Sequence, residues 1–254
     1  MDLPLDSIIC GDCLQSLREL PDNSIDLIIT SPPYNIRHTM KKDPKTRGPN
    51  DKGNWKNADL IIKGYDNYKD DLDPREYVRW QQDILKECFR VIKDDGAIFY
   101  NHKYKINNGL LIDHSDILQG LPVRQIIIWK RAGNPFFHDT FFLQVYEVIY
   151  MIAKPKFRLI PHANAVGDVW DIPQEANTPH PAPFPVEIPR RIIQSTSADV
   201  VLDPFMGSGS TGVAAKQLGR HYIGFELSPK YCEMARERIR KTTKPIKNWF
   251  YADE

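Results

Sequence analysis

Apolar positions along the chain alternate between two patterns: short unbroken runs, as in strands buried on both faces, and stripes at three- and four-residue spacing, as on core-facing helices. Residues 7–10 form the first run, Gly11-Asp12 the turn at its carboxyl end, and Leu14, Leu17 and Leu20 a helical face that Pro21-Asp22-Asn23 stops. With the run at 25–29 this makes strand, helix and strand within about 25 residues, a βαβ unit of right-handed crossover. Both strand ends should then lie on one edge of a parallel sheet, the edge where ligands of open α/β folds bind. The second strand runs into Thr30-Ser31-Pro32-Pro33-Tyr34. Its two prolines fix their own φ, supply no N–H and extend the residue before each, so a bound group would meet a preset arc of carbonyls beside a flat ring.

Further along, Asp73 as N-cap, Pro74 in the first turn and Glu76 closing a capping box start a helix whose Tyr77, Trp80, Ile84, Cys88 and Val91 face a core. Asp94-Asp95-Gly96 turns the chain into a strand over 97–100, a helix is expected over 110–118, and strands over 124–130 and 144–153 pair as a hairpin at the sheet edge. Residues 155–189 are rich in proline and aperiodic; a helix over 185–195 with Ile188, Ile192 and Ile193 inward then leads to a strand at 200–202. The pattern predicts an α/β fold, a mostly parallel sheet with an antiparallel edge hairpin, in a single domain over residues 1–254.

Composition places this fold in water: 41% hydrophobic and 26% charged residues, no long apolar stretch and no leader-like start imply a cytoplasmic protein with no membrane partner. A net charge of +1 excludes coating of nucleic acid by bulk charge. The distribution changes that picture, because Arg37, Lys41, Lys42, Lys45, Arg47, Lys52 and Lys56 crowd a loop that carries only Asp43 and Asp51. Without further context such a run reads more readily as a solvated, partly disordered insertion. Four cysteines are too few for a disulfide framework, and Cys10-Gly11-Asp12-Cys13 lacks a second pair of metal-ligand spacing, so no metal site is expected.

The strand at 200–202 enters Asp203-Pro204-Phe205-Met206-Gly207-Ser208-Gly209-Ser210-Thr211-Gly212, after which Val213, Ala214, Ala215 and Leu218 continue as a helix ended by Gly219. Strand, G-x-G-x-x-G turn and helix is the context in which that motif binds an adenosine-containing ligand, and Glu226 closes the next strand about 20 residues after Gly207, where a carboxylate accepts two ribose hydroxyls. No lysine follows the glycines, against a nucleoside triphosphate. Asp203 at the strand end suits a cationic ligand such as the sulfonium of S-adenosylmethionine and would repel a pyrophosphate. A nicotinamide oxidoreductase and a DNA-binding remnant without catalysis stay open as rivals.

Together Ser31-Pro32-Pro33-Tyr34 and Asp203-Pro204-Phe205-Met206-Gly207-Ser208-Gly209, in this order, resemble the catalytic and cofactor motifs of the permuted β class of DNA amino-methyltransferases. The likeness spans nearly the whole chain and implies a circularly permuted, Rossmann-like, S-adenosylmethionine-dependent methyltransferase fold. It also implies that Asp12, Cys13, His180, Asp203, Phe205, Gly207, Gly209, Ser210, Thr211 and Glu226 form the cofactor site, with Asp12 at the adenine amine and Glu226 at the ribose. Ser31, Pro32, Pro33 and Tyr34 would hold the exocyclic amine of a base swung out of the duplex, and no covalent intermediate is needed.

Ser31 points toward cytosine N4 as the acceptor, while Asn35 is common among adenine N6 enzymes. No long target-recognition segment lies between residues 153 and 180. The insertion at 35–72, through Arg37, Lys41, Lys42, Lys45 and Arg47, is therefore expected to read double-stranded DNA, helped by Lys130, Arg131 and the 155–180 connection. A monomer or homodimer within a restriction-modification system, with a cognate restriction endonuclease, completes the expectation.

Overall fold

Unbroken apolar runs become the strands of one sheet because both of its faces are covered. The computed structural model describes residues 2–35, 70–107, 109–131, 141–175 and 184–243. Its strands are β1 (Ser7–Cys10), β2 (Ile25–Thr30), β3 (Ile92–His102), β4 (Lys105–Asn107), β5 (Leu110–Ile112), β6 (Val123–Lys130), β7 (Tyr146–Ala153), β8 (Val169–Asp171), β9 (Val200–Asp203) and β10 (His221–Glu226). The helices are α1 (Cys13–Glu19), α2 (Pro74–Val91), α3 (Glu187–Gln194), α4 (Ser210–Gln217) and α5 (Pro229–Lys241).

Eight strands form the main sheet in the order β1-β10-β9-β2-β3-β7-β6-β8. The pairs from β1 to β3 are parallel, β3–β7 and β7–β6 are antiparallel, and β8 pairs in parallel with β6. Alternate residues of each strand serve opposite cores. Ile28, Ile98 and Tyr100 pack with α1 and α2, whereas Leu27, Ile29, Ala97 and Phe99 pack with α3 and α4. A smaller cluster joins Ile8 and Val213 to Cys232, Ala235 and Ile239 of α5.

Both β1 and β2 run parallel as expected, but β10 and β9 lie between them. The chain leaves β2 toward β3 on one side and leaves the adjacent β9 toward β10 on the other, which makes the β2–β9 boundary a topological switch point. The β6–β7 hairpin forms, and β8, drawn from the proline-rich connection, adds one more strand outside it.

The helix expected over 110–118 does not form. Gly109 takes φ +76°, Leu110–Ile112 pairs with β4 as a small separate hairpin, and only turns follow. The apolar residues there are consecutive, which gives a helix no single face to bury, and Leu110 and Leu111 remain exposed. Helix α5 is an addition to the expected elements: Ser228 caps it by accepting from Tyr231 N, and Pro229 opens it.

Gly212 shows how closely α5 approaches: a Cβ there would meet Ile239 Cδ1, the end of a flexible side chain. Gly212→Ala should therefore cost about 1–3 kcal/mol by overpacking. The double variant with Ile239→Val, which removes that methyl, should recover most of the lost Tm in a thermal melt.

Candidate active site at the switch point

At the carboxyl ends of β2 and β9 the prolyl turn and the glycine turn meet. Thr30 Oγ1 donates to Asp203 Oδ1 at 2.9 Å across 173 residues of sequence. Thr211 Oγ1 donates to Asp203 Oδ2 at 2.7 Å, and Phe205 N–H donates to Oδ1 at 3.0 Å. Asp203 is only 4% exposed. Burial raises its pKa to about 6, against the lowering effect of the Thr211, Phe205 and Thr30 hydrogen bonds. One carboxylate thus ties the end of β2, the glycine turn and the first turn of α4 together.

Glu226 ends β10 beside that turn. Its Oε2 accepts from Gly207 N at 2.9 Å and its Oε1 from Ser228 N at 2.8 Å, with the Leu227 N–H close beside them, and the carboxylate keeps acceptor capacity for a further donor. Burial raises its pKa, while the same backbone N–H groups lower it. Gly207 and Gly209 turn the loop with φ of +51° and +87°. Phe205 meets Trp80 of α2 edge-on at 5.7 Å.

Asp12 lies at the same sheet edge, since Cys10 is the register partner of Glu226; its Oδ1 caps α1 by accepting from Gln15 N at 2.9 Å. Cys13 points into the core, where burial first and Asp12 second push its thiol up to about 12. Ser210 Oγ and Ser208 Oγ each accept from Arg238 at 3.1 Å, and the same guanidinium pairs with Glu175 at 2.8 Å. Ser210 and Thr211 are thus engaged within the protein, bracing the loop.

The prolyl turn has a second layer that sequence spacing did not disclose. Tyr77 of α2 donates its hydroxyl hydrogen to Pro33 O at 2.8 Å, so the His102 Nε2–H, 2.7 Å away, must donate to the Tyr77 oxygen. His102 Nδ1 in turn accepts from Lys103 N at 2.8 Å, which fixes a neutral tautomer. Burial first, then the neighbouring His114 and Lys105, hold His102 well below its ordinary pKa, and burial brings His114 down to about 4. The Tyr34 ring stacks on His102 at 4.7 Å and 29°, and His102 lies 3.5 Å from His114.

Beyond the ring, the Tyr34 hydroxyl lies 2.7 Å from Ser31 Oγ, donates to Glu147 Oε2 at 3.0 Å, and accepts from Asn101 Nδ2 at 2.6 Å. Asn101 and Glu147 are both buried. The signal that could have found Glu147 is a lone acid inside the apolar run of β7, a position where an unpaired charge is not tolerated.

Asn35, at φ +56°, donates its N–H to Asp70 at 2.6 Å and its side-chain amide to Leu72 O at 2.8 Å. Of the residues expected to touch DNA, Lys130 pairs with Asp171 at 2.5 Å in solvent, and Arg131 lies beside Glu147 at 3.6 Å. Arg37, Lys41, Lys42, Lys45, Arg47 and His180 lie outside the described residues. Among the described residues no cluster of metal-ligating side chains occurs, and no helix is long and apolar enough to cross a membrane.

A family model described as DNA methylase matches residues 25–237. Among curated proteins, the type II methyltransferase M.HinfI of Haemophilus influenzae is 31% identical over 264 residues, covering 93% of this chain and 69% of the relative. M.BglII of Bacillus subtilis is 28% identical over 273 residues, with coverage of 91% and 68%. Two solved structures share the fold. A Thermus thermophilus protein assigned as a DNA modification methylase, complexed with S-adenosyl-L-methionine, matches with a TM-score of 0.65 at 24% identity over 93% of each chain. The cytosine-N4-specific PvuII DNA methyltransferase gives 0.67 at 20% identity over 95% of this chain and 88% of that one.

Proposed function

Because the chain belongs to the family of DNA methylases that act on adenine N6 or cytosine N4, we propose that it transfers a methyl group from S-adenosylmethionine to the N4 amine of cytosine in double-stranded DNA. The observation that carries this reading is the Thr30–Asp203 hydrogen bond, which joins the amine-binding turn to the donor-binding turn in one crevice. The residues fit the donor. Glu226 keeps acceptor capacity for a ribose hydroxyl, the glycines let backbone approach closely, and buried Asp203 supplies an anion suited to a sulfonium.

An exocyclic amine is a poor nucleophile because its lone pair is delocalised into the ring, so the site must hold the nitrogen near tetrahedral as the methyl arrives. Tyr77 occupies Pro33 O, which leaves Pro32 O to accept one amine hydrogen and Ser31 Oγ the other. His102 backs one face of Tyr34, and the opposite face stacks the flipped base.

Ser31 favours cytosine. Asn35 weighs less for adenine, because its N–H and side-chain amide hold the turn to residues 70–72. Incubation with labelled S-adenosylmethionine and genomic DNA, followed by digestion, should yield N4-methylcytosine. N6-methyladenine alone would overturn the base assignment, and tight NAD binding without S-adenosylmethionine binding would overturn the whole reading.

The basic insertion is the proposed DNA reader. Charge reversal at Lys41, Lys42 and Arg47 should weaken binding and flatten the dependence of log K on log salt by about 0.9 for each phosphate no longer neutralised. M.HinfI and M.BglII are type II methyltransferases, and a cognate restriction endonuclease is the proposed biological partner.

A further inference from the structure

We infer that Glu147 is the terminus of a one-way hydrogen-bond chain, Ser31–Tyr34–Glu147, that fixes Ser31 as an acceptor for the target amine and takes up the proton the amine releases. The inference rests on the methyl-transfer reading of the same site.

A serine hydroxyl can donate or accept, and a clamp that must accept N–H needs its own hydrogen directed elsewhere. The geometry does this. Ionised Glu147 can only accept, and its Oε2 receives the Tyr34 hydroxyl hydrogen at 3.0 Å. The Tyr34 oxygen is then an acceptor, and Ser31 Oγ, 2.7 Å away, must donate to it. Asn101 Nδ2 enforces the same polarity, since an amide N–H can only donate to Glu147 Oε2 at 2.9 Å and to Tyr34 at 2.6 Å. On the other side, Arg131 Nε lies 3.6 Å from Glu147 Oε1. Asn101 Nδ2 also approaches Ser31 Oγ at 3.2 Å, so of the two lone pairs on Ser31 Oγ one is left to accept an incoming amine hydrogen.

The same chain balances the reaction. The amine lone pair forms the new N–C bond as the C–S bond breaks and its electrons pass to sulfur. The nitrogen is left with one proton too many. That proton moves to Ser31 Oγ, the serine hydrogen to Tyr34 Oη and the tyrosine hydrogen to Glu147 Oε2, which returns it to solvent after product leaves.

Single-turnover transfer from labelled S-adenosylmethionine to DNA tests this in the full chain. Tyr34→Phe keeps the stacking ring and Glu147→Gln keeps the shape, so both should bind S-adenosylmethionine and DNA within about twofold of the parent yet transfer methyl about 10²–10³ slower. The double variant should be no slower than the slower single one, because either cut severs the same chain. The parent should show a solvent deuterium isotope effect that both variants lose. Full-rate transfer by either variant, or losses that multiply in the double variant, would overturn the chain while leaving methyl transfer intact. A parent that transfers no methyl to DNA would instead overturn the reading beneath it.

Discussion

Asp203→Asn is expected to stabilise the protein above neutral pH while removing its activity. The Asp203 pKa is raised from 3.8 to about 6 because burial outweighs the three hydrogen bonds it accepts. Between those values the folded state binds more protons at this site than the unfolded state, so stability falls as pH rises from about 4 to about 6 and stays lower above that. The raised pKa corresponds to about 3 kcal/mol lost by pH 7. Asparagine carries no charge to desolvate: its Oδ1 can accept from Thr30 and Phe205, and its amide can donate to Thr211 once that hydroxyl turns.

Thermal melts should therefore show little difference between parent and variant near pH 4 and a variant Tm higher by roughly 5–10 °C at pH 7–8. Taking the difference cancels the opposite effect of His102 and His114, whose lowered pKa values withdraw stability from both proteins as pH falls below 6.5. Calorimetry should show S-adenosylmethionine binding weakened by about tenfold or more, because the variant presents a neutral amide to a cationic donor. Asp203→Ala should lose both properties. It strands two hydroxyls and an N–H in the core, at a cost of about 3–5 kcal/mol. A pH-independent Tm difference, or undiminished donor binding by Asp203→Asn, would refute the assignment.

What sequence pattern discloses is chemistry that local backbone demands. The prolyl turn, the glycine turn and the Asp73 cap of α2 each need particular residues at particular positions, and all were legible; the Asp12 cap of α1 read only as a turn. Interactions made across the fold leave no such trace. Tyr77 reads as one more aromatic on the face of α2, yet its hydroxyl reaches Pro33 O across 44 residues. His102 and Asn101 sit at the end of β3, and nothing in their spacing says that one backs Tyr34 and the other binds its hydroxyl. Edge strand β8 is three residues long, too short to carry a period, and its register is set by β6.

Gly209→Ala should be the most damaging single-methyl change in the glycine turn. At φ +87° a side chain is strained, by about 1–2 kcal/mol on general grounds. The new Cβ would also lie 3.0 Å from Ala235 Cβ and 3.1 Å from Ala235 Cα. Unlike the flexible tip that Gly212→Ala meets, this neighbour is the backbone of α5 and cannot rotate away. Moving it adds about 1–3 kcal/mol, so the total loss is about 2–5 kcal/mol. The displacement strikes the site directly, because Gly209 N donates to Met206 O and Gly209 O accepts from Val213 N, both at 2.8–2.9 Å. Shifting Gly209 therefore shifts the start of α4 and, through Thr211, the Asp203 carboxylate. Denaturant melts should report the stability loss, and binding isotherms a loss of S-adenosylmethionine affinity that Ile239→Val, the rescuer of Gly212→Ala, leaves uncorrected. Rescue of Gly209→Ala by that same change would mean that the turn yields as a unit with α5 and that Gly209 is needed for space alone.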